Sequence, residues 1–126
     1  MSRKIIHTDR APKAIGPYSQ AIVANGLLFT SGQIPLDPAT GELVKGDFTA
    51  QARRVFENLR AVLRGAGTDF SRVTKATVYL TDLANFQAMN AIYAEVFGSH
   101  KPARTTVGVA SLPKGAPLEI DLIALV

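Results

Sequence analysis

Residues 21–33 have the sequence AIVANGLLFTSGQ, and this stretch decides the architecture of the chain. Two apolar runs, 21–24 and 27–33, flank the dipeptide Asn25-Gly26. A type I′ turn needs positive φ at both central residues, and Asn-Gly tolerates this best. The pattern therefore predicts a β-hairpin.

Beyond this hairpin, a loop rich in proline and glycine leads into a helix. From Phe48 the apolar period changes to three and four residues, which is typical of an amphipathic helix. Asp47 or Thr49 is expected to cap its start, and Gly65 follows the last full turn. Arg53, Arg60 and Arg64 lie largely off the apolar stripe and are interpreted as a solvated face rather than an RNA-binding patch. The stripe consists of Phe48, Ala52, Val55, Phe56, Leu59, Val62 and Leu63.

A second helix is predicted over 85–97, with Asp82 or Asn85 as its cap and Gly98 as its stop. Its apolar side is expected to hold Phe86, Met89, Tyr93, Val96 and Phe97. The remaining strands are predicted at Lys4–His7, Arg72–Leu80, Thr105–Ala110 and Leu118–Val126. The order is β-β-β-α-β-α-β-β, an α+β fold in which two helices pack on one face of a mixed sheet, in a single domain spanning residues 1–126.

Two helices cover only one face of such a sheet, and the other face should then be polar in a monomer. Alternation instead gives both faces apolar side chains. In the hairpin, Leu27 and Phe29 point to one face and Leu28 to the other. In the last strand, Ile123 and Leu125 point to one face, and Ile120, Leu122 and Ala124 to the other. Both faces are therefore apolar, which predicts an oligomer whose sheets pack against each other.

Composition excludes several classes of protein. The 126 residues include no cysteine, which excludes disulfides and thiol chemistry. No apolar run is long enough to span a membrane, and no signal-peptide core is present at the N-terminus. The charge of +4 is scattered rather than gathered in a dense patch, so nucleic-acid binding is not expected. His7 and His100 lack metal-ligand spacing, and no phosphate loop or nucleophile elbow occurs, so neither a metal nor a cofactor is expected.

Two turn-like segments could contribute polar groups to a site. Gly16-Pro17-Tyr18-Ser19 is a rigid turn that fixes an aromatic hydroxyl, and Ser31-Gly32 ends a strand with a small polar residue and a glycine. Each alone is typical of an ordinary turn. A glycine in that place would also let a ligand approach the backbone closely.

Two charged residues stand beside or within β-rich segments. Arg104 is either a charged surface residue or a ligand-binding residue whose guanidinium donates two hydrogen bonds to a carboxylate. Glu119 lies among apolar residues of the last strand, on the same side as Asp121. It is either a solubilising edge charge or a desolvated carboxylate suited to acid–base catalysis.

Taken together, these segments resemble the Rid/YjgF family, also called L-PSP or endoribonuclease-like. The resemblance spans nearly the whole chain, and the order of its motifs is more specific than any one of them. The matching stretches are residues 14–21 (AIGPYSQA), 29–35 (FTSGQIP), 85–90 (NFQAMN), 102–105 (PART) and 112–120 (LPKGAPLEI).

The resemblance implies a chorismate-mutase-like fold and a homotrimer with active sites between neighbouring subunits. It makes Arg104 the carboxylate-binding residue and Glu119 the group that activates water. Substrate-binding roles then fall to Tyr18, Ser31, Gly32, Asn90 and Thr106. Many relatives carry cysteine where this chain has Thr106. Because threonine has no thiol, a thiol-dependent redox response is excluded here.

The activity implied is that of a cytoplasmic 2-iminobutanoate/2-iminopropanoate deaminase, a hydrolase acting on C=N bonds. Reactive enamines and imines such as 2-aminoacrylate would become 2-keto acids and ammonia without a cofactor. The alternatives are a non-catalytic keto-acid-binding regulatory module, or an endoribonuclease or translation inhibitor.

Overall fold

The computed structural model describes residues 2–126, which form a six-stranded sheet and two α-helices. Neither helix in this range has both the length and the apolar character needed to cross a bilayer. The helices are α1 (Phe48–Gly65) and α2 (Phe86–Phe97). The strands are β1 (Arg3–Ile6), β2 (Ala21–Ala24), β3 (Leu27–Thr30), β4 (Val73–Leu80), β5 (Ala103–Gly108) and β6 (Leu118–Leu125).

The strands lie in the order β1-β2-β3-β6-β4-β5. All neighbours are antiparallel except β4 and β5, which run parallel and are joined in the chain by α2. The last strand therefore lies in the middle of the sheet, between β3 and β4. The predicted fold class and element order are confirmed.

The predicted hairpin is present between β2 and β3. Asn25 and Gly26 have φ angles of 52° and 75°, as a type I′ turn requires. Strand β3, however, ends at Thr30, three residues before the predicted end. Beyond it the Ser31 amide donates to the carbonyl of Gln20, and only Gln33 rejoins the sheet, through an isolated bridge to Ile120.

Helix α1 begins and packs as its pattern predicts. The Asp47 carboxylate accepts a hydrogen bond from the Ala50 amide at 2.9 Å, so Asp47 is the cap. The predicted stripe faces the sheet, although Phe48 is only partly buried. Asn58 is a polar residue in this interface with 0% exposure, and its amide donates to the Leu36 carbonyl at 2.9 Å.

Helix α2 differs from its predicted packing at its first turn. Phe86 is 37% exposed, whereas Ile92, absent from the predicted apolar side, is buried. A one-turn 3-10 helix, Leu83–Asn85, precedes α2, and Asp82 caps it through the Ala84 amide. The α-helix therefore begins at Phe86, one residue later than predicted, and Phe86 lies at its end rather than in the core.

Strand β5 occupies an earlier segment than predicted, because parallel pairing with β4 begins at Lys75 opposite Ala103. Arg104 therefore lies inside the strand and not at its entry. Predicted strand ends elsewhere differ by one residue: β1 ends at Ile6, β4 begins at Val73 and β6 ends at Leu125.

The two faces of the sheet differ as the alternation predicts, and both carry apolar residues. On β6, Leu118, Ile120, Leu122 and Ala124 are buried under the helices. The opposite face, called here the open face, carries a cross-strand row of Ile5, Ile22, Phe29 and Ile123. Ile5 and Phe29 in this row are 64% and 42% exposed.

Candidate active site

Glu119 lies on the open face near the start of β6, opposite Tyr79 of β4. The chain crosses directly over its carboxylate at Gly32. A Cβ atom at position 32 would lie 2.5 Å from Glu119 Oε2 and 2.9 Å from its Cγ. Only glycine therefore fits there while Glu119 keeps its position.

The electrostatic surroundings of Glu119 oppose its ionisation. Burial is the main cause and raises the pKa of the carboxyl group, and the charge of Asp121 raises it further. Asp121 accepts a hydrogen bond from the Tyr79 hydroxyl at 2.9 Å. Two carboxyl groups, those of Glu119 and Asp121, thus share this part of the open face. The Tyr79 hydroxyl stabilises the charge of Asp121 by a hydrogen bond.

A cavity of about 170 Å³, called here the acid cavity, opens beside Glu119. Tyr18 lies on its wall, with a half-exposed side chain whose hydroxyl accepts from the Ile15 amide at 3.3 Å. Ser31 adjoins it, and its Oγ donates to the Ser19 carbonyl at 2.6 Å. The rest of its wall is mainly apolar and includes Pro12, Ile15, Ile34, Leu36 and Pro113.

Arg104 lies on the opposite side of the sheet. It pairs with Ala76 of β4, whose side chain is buried under the helices. Its Nη1 donates to Asn90 Oδ1 at 2.7 Å. The guanidinium carbon lies 4.8 Å from the ring centre of Tyr93 and 5.6 Å from that of Phe86. These contacts fix the guanidinium plane by a hydrogen bond and cation–π attraction.

Arg104 and Asn90 line a second cavity of about 410 Å³, called here the arginine cavity. Two polar atoms in this region are buried and lack a hydrogen-bond partner within residues 2–126: the Tyr93 hydroxyl and Thr106 Oγ1. Burial raises the pKa of Tyr93, although the charge of Arg104 acts in the opposite sense. Of these two residues Tyr93 lines the cavity, and an unpaired buried hydroxyl in that position is suited to hold a water molecule or a ligand.

The sequence-predicted site residues therefore form two groups. Tyr18, Gly32 and Glu119 line the acid cavity, and Ser31 directly precedes Gly32 in the chain. Asn90 and Arg104 line the arginine cavity, and Thr106 lies two residues further along β5. A single chain does not bring Arg104 and Glu119 into one cavity. One chain alone thus provides two separate halves of the predicted constellation.

Sequence analysis missed the functional aspect of two aromatic residues. The apolar period predicts for Phe86 and Tyr93 only a place on the apolar side of a helix. In the structure the Arg104 guanidinium lies over both rings. The available signal was their spacing: Phe86, Asn90 and Tyr93 follow each other at four and three residues, so they share one helix face.

No gathering of three or more metal-ligating side chains occurs among the residues that the structure describes. His7 contacts Asp9 at 3.0 Å, and His100 Nε2 lies 2.6 Å from the Val73 carbonyl oxygen. Both histidines therefore have local structural partners.

Two helices on one face of a mixed six-stranded sheet, with a carboxylate half-site and an arginine half-site, define a YjgF-like α+β protein. Residues 8–126 match the family model described as Endoribonuclease L-PSP. The chain belongs to this family, the Rid/YjgF family.

Relatives of known name cover almost the full length of the chain. Protein DfrA of Myxococcus xanthus is 57% identical over 99% of this chain and 97% of its own length. A 2-iminobutanoate/2-iminopropanoate deaminase of Capra hircus is 46% identical over 98% of this chain and 90% of its own.

Solved structures agree with the fold. YyfA of the conserved Rid family, from Yersinia pestis, superposes with a TM-score of 0.97 at 49% identity, covering 99% of this chain and 100% of its own. TdcF of E. coli, solved with bound serine, has a TM-score of 0.92 at 45% identity and covers 98% of both chains.

Proposed function

We propose that the protein hydrolyses the reactive imines and enamines of small 2-amino acids, such as 2-aminoacrylate, to 2-keto acids and ammonia. The observation that carries this proposal is Glu119, a partly desolvated carboxylate with a raised pKa on the wall of a cavity. A general base acts best when its pKa approaches the working pH. The deaminase name of the Capra hircus relative supports the same chemistry.

In the proposed reaction, an enamine first takes a proton on its terminal carbon and loses one from nitrogen to water, which gives the neutral 2-imino acid. Glu119 then removes a proton from water while the water oxygen bonds to the C=N carbon. Glu119 returns that proton to nitrogen, which gives a carbinolamine that carries a hydroxyl and an NH2 group. The hydroxyl proton then moves to nitrogen by way of Glu119, the C–N bond breaks, and ammonia leaves as the carbonyl forms. The Tyr18 hydroxyl accepts from the Ile15 amide and keeps its own proton, so it would donate to the charge that develops on the adduct. Ser31, whose proton is bonded to the Ser19 carbonyl, would shape the cavity.

Arg104 would hold the substrate carboxylate. Asn90 engages only one of its terminal nitrogens, and the remaining donors of the guanidinium fork suit a planar carboxylate. Because Tyr93 and Phe86 contact its guanidinium, the fork has a defined plane before substrate arrives. Fixing the substrate carboxylate in this way orients the C=N carbon, and orientation alone can contribute several kcal/mol.

The two halves lie on opposite faces of one sheet, so the proposed site needs two chains. The exposed apolar row on the open face supports such an assembly, since Ile5 and Phe29 would otherwise remain in water. A closed homotrimer would repeat one heterologous interface three times and form three equivalent sites. Each site would combine Glu119 of one chain with Arg104 of its neighbour.

The test uses Arg104→Ala and Glu119→Gln, assayed singly and as mixed oligomers with an imino acid generated by an amino-acid oxidase. Each variant alone should be inactive. Random mixing in equal amounts should restore about a quarter of wild-type activity, because one site in four then receives both intact residues.

Full turnover by either single variant would refute its proposed role. If mixing restored nothing although the variants form mixed oligomers, both residues would have to act within one chain. Binding of keto acids by the wild type without turnover of imino acids would favour a regulatory module.

A further inference from the structure

A third cavity, of about 410 Å³, lies away from both half-sites, between α1 and the segment that follows β1. Four arginines line it, and the only carboxylate on its wall is that of Glu57. We propose that this basic cavity binds a compact polyphosphate anion, either free or as the tail of a phosphorylated metabolite. The arginines are Arg10, Arg54, Arg60 and Arg64.

The cavity arises from helix geometry. Arg54, Glu57, Ala61 and Arg64 follow one another at three or four residues, so they share one face of α1. The segment at Thr8 and Arg10 lies against that face, and a Cβ atom at Gly65 would be only 3.5 Å from the Thr8 Cβ. The end of the helix and this segment therefore lie within ordinary van der Waals contact of each other.

Few of the positive charges on this wall are neutralised. Glu57 accepts from Arg60 Nε at 3.4 Å. Neither Arg10 nor Arg64 has a side-chain hydrogen bond or ion pair with any of residues 2–126. Arg60 and Arg64 are also four residues apart on a helix, where like charges destabilise each other. A bound anion would relieve this repulsion.

The guanidinium groups are not needed to cap the helix. The carbonyls of Val62 and Leu63 accept from the Ala66 amide, and that of Arg64 accepts from the Gly67 amide. Backbone groups thus satisfy three of the four carbonyls in the last turn of α1. Apart from the Nε groups of Arg54 and Arg60, which donate to Asn58 and Glu57, the arginine donors remain available for a ligand. A polyphosphate accepts several charge-assisted hydrogen bonds and suits such a set of donors.

The lining also restricts the class of ligand. No aromatic residue borders this cavity, and single-stranded RNA is usually held by stacking its bases on aromatic rings. Four clustered guanidinium groups without a stacking surface favour a compact anion over a nucleic acid. The proposal does not depend on the deaminase activity, because the cavity shares no lining residue with either half-site.

Calorimetric titration with sodium pyrophosphate tests the proposal on the full-length protein. We expect saturable binding of one anion per chain. Because each arginine contributes charge-assisted hydrogen bonds, Arg54→Gln and Arg64→Gln should each weaken binding about tenfold, and the double variant further. The melting temperature should rise with pyrophosphate in the wild type and much less in the double variant.

The matched control is Arg53→Gln with Arg72→Gln, which removes the same net charge outside the cavity. Arg53 contacts Glu95 at 2.8 Å, on another side of α1. This control should bind pyrophosphate within about twofold of wild type, since neither Arg53 nor Arg72 lines the cavity and exposed charges outside it are screened by salt. Equal loss in both double variants would overturn the proposal in favour of general electrostatic attraction.

Two further arms identify the source of the anion. Adenosine diphosphate binding more tightly than pyrophosphate would assign the site to a phosphorylated metabolite, and the reverse order to the free anion. If neither binds saturably, or if only an RNA oligonucleotide does, the proposal is wrong.

Discussion

The acid cavity and the arginine cavity fix their charged groups by different means. Glu119 is confined by backbone, because the chain at Gly32 passes within contact distance of its carboxylate. Arg104 is held by side chains instead, through the Asn90 amide and the rings of Tyr93 and Phe86. A carboxylate confined by backbone has little freedom to move, whereas a guanidinium held by side chains can be loosened stepwise.

This contrast has a kinetic counterpart in the proposed reaction. Changes around Glu119 should alter the proton-transfer step and therefore kcat. Changes around Arg104 that leave the guanidinium in place should weaken substrate binding and therefore raise KM. The following substitutions test that division, from the largest expected effect to the smallest.

Replacing the general base should have the largest effect. Glu119→Gln keeps the shape of the side chain but cannot accept the proton from water, so kcat should fall on the order of 1000-fold. Steady-state kinetics on an oxidase-generated imino acid measure this loss. The exposed Glu42→Gln variant is the control and should keep wild-type rates, whereas a fully active Glu119→Gln would exclude general-base catalysis by this residue.

Gly32→Ala should displace Glu119 without removing it. The new Cβ would overlap Oε2, the carboxyl carbon and Cγ, so the whole side chain must rotate away. A displacement of about 1 Å can cost about 100-fold in rate, and the loss should appear in kcat. Gly65→Ala, whose Cβ would meet only ordinary contacts at 3.5 Å or more, is the matched control. Unchanged kinetics in Gly32→Ala would show that Glu119 need not be confined.

Asn90→Ala should loosen the arginine without removing it. The 2.7 Å hydrogen bond disappears, but the stacking on Tyr93 remains. We expect KM to rise about tenfold, with kcat nearly unchanged, because one charge-assisted hydrogen bond that orients the fork is lost. Asn85→Ala is the control, since the Asn85 side chain makes no capping hydrogen bond. A fall in kcat with constant KM would contradict the proposed division.

The smallest effect concerns stability and pH. The fold raises the pKa of Glu119 above its ordinary value of 4.5, because it favours the protonated carboxyl group. The stabilisation of the folded state by this protonated group is therefore complete below pH 4.5. This contribution is lost as the pH rises through the folded-state pKa. Glu119→Gln cannot ionise, so its melting temperature relative to wild type should increase between pH 4.5 and neutrality. Melting curves across this range measure the difference, and a pH-independent difference would show that the environment of Glu119 does not disfavour its charge.

Local patterns in the sequence were sufficient to predict most of the helices and strands. Asn25-Gly26 predicted the hairpin because few other dipeptides tolerate its φ angles, and the apolar stripe predicted α1 because its period is that of a helix. Alternation along β6 also placed Glu119 and Asp121 on the less buried face, as the structure confirms.

The relation between the two half-sites could not be predicted from those patterns. Arg104 and Glu119 lie on strands that are separated by β4, and their faces depend on the register on both sides of β4. A shift of one residue in either register reverses a side chain, and no local signal reports it. Phe86 is a similar case, since its apolar pattern predicts a place in the core, whereas it is 37% exposed and its ring lies beside the guanidinium of Arg104.

Asn58 of α1 anchors one wall of the acid cavity to the helix by a hydrogen bond. Its amide group donates to the Leu36 carbonyl at 2.9 Å and accepts from Arg54 Nε at 3.0 Å, entirely out of contact with water. Leu36 and the nearby Ile34 border the acid cavity, so an irregular loop segment is anchored to the most regular element of the fold. The cavity can therefore keep its shape although no strand or helix forms that wall.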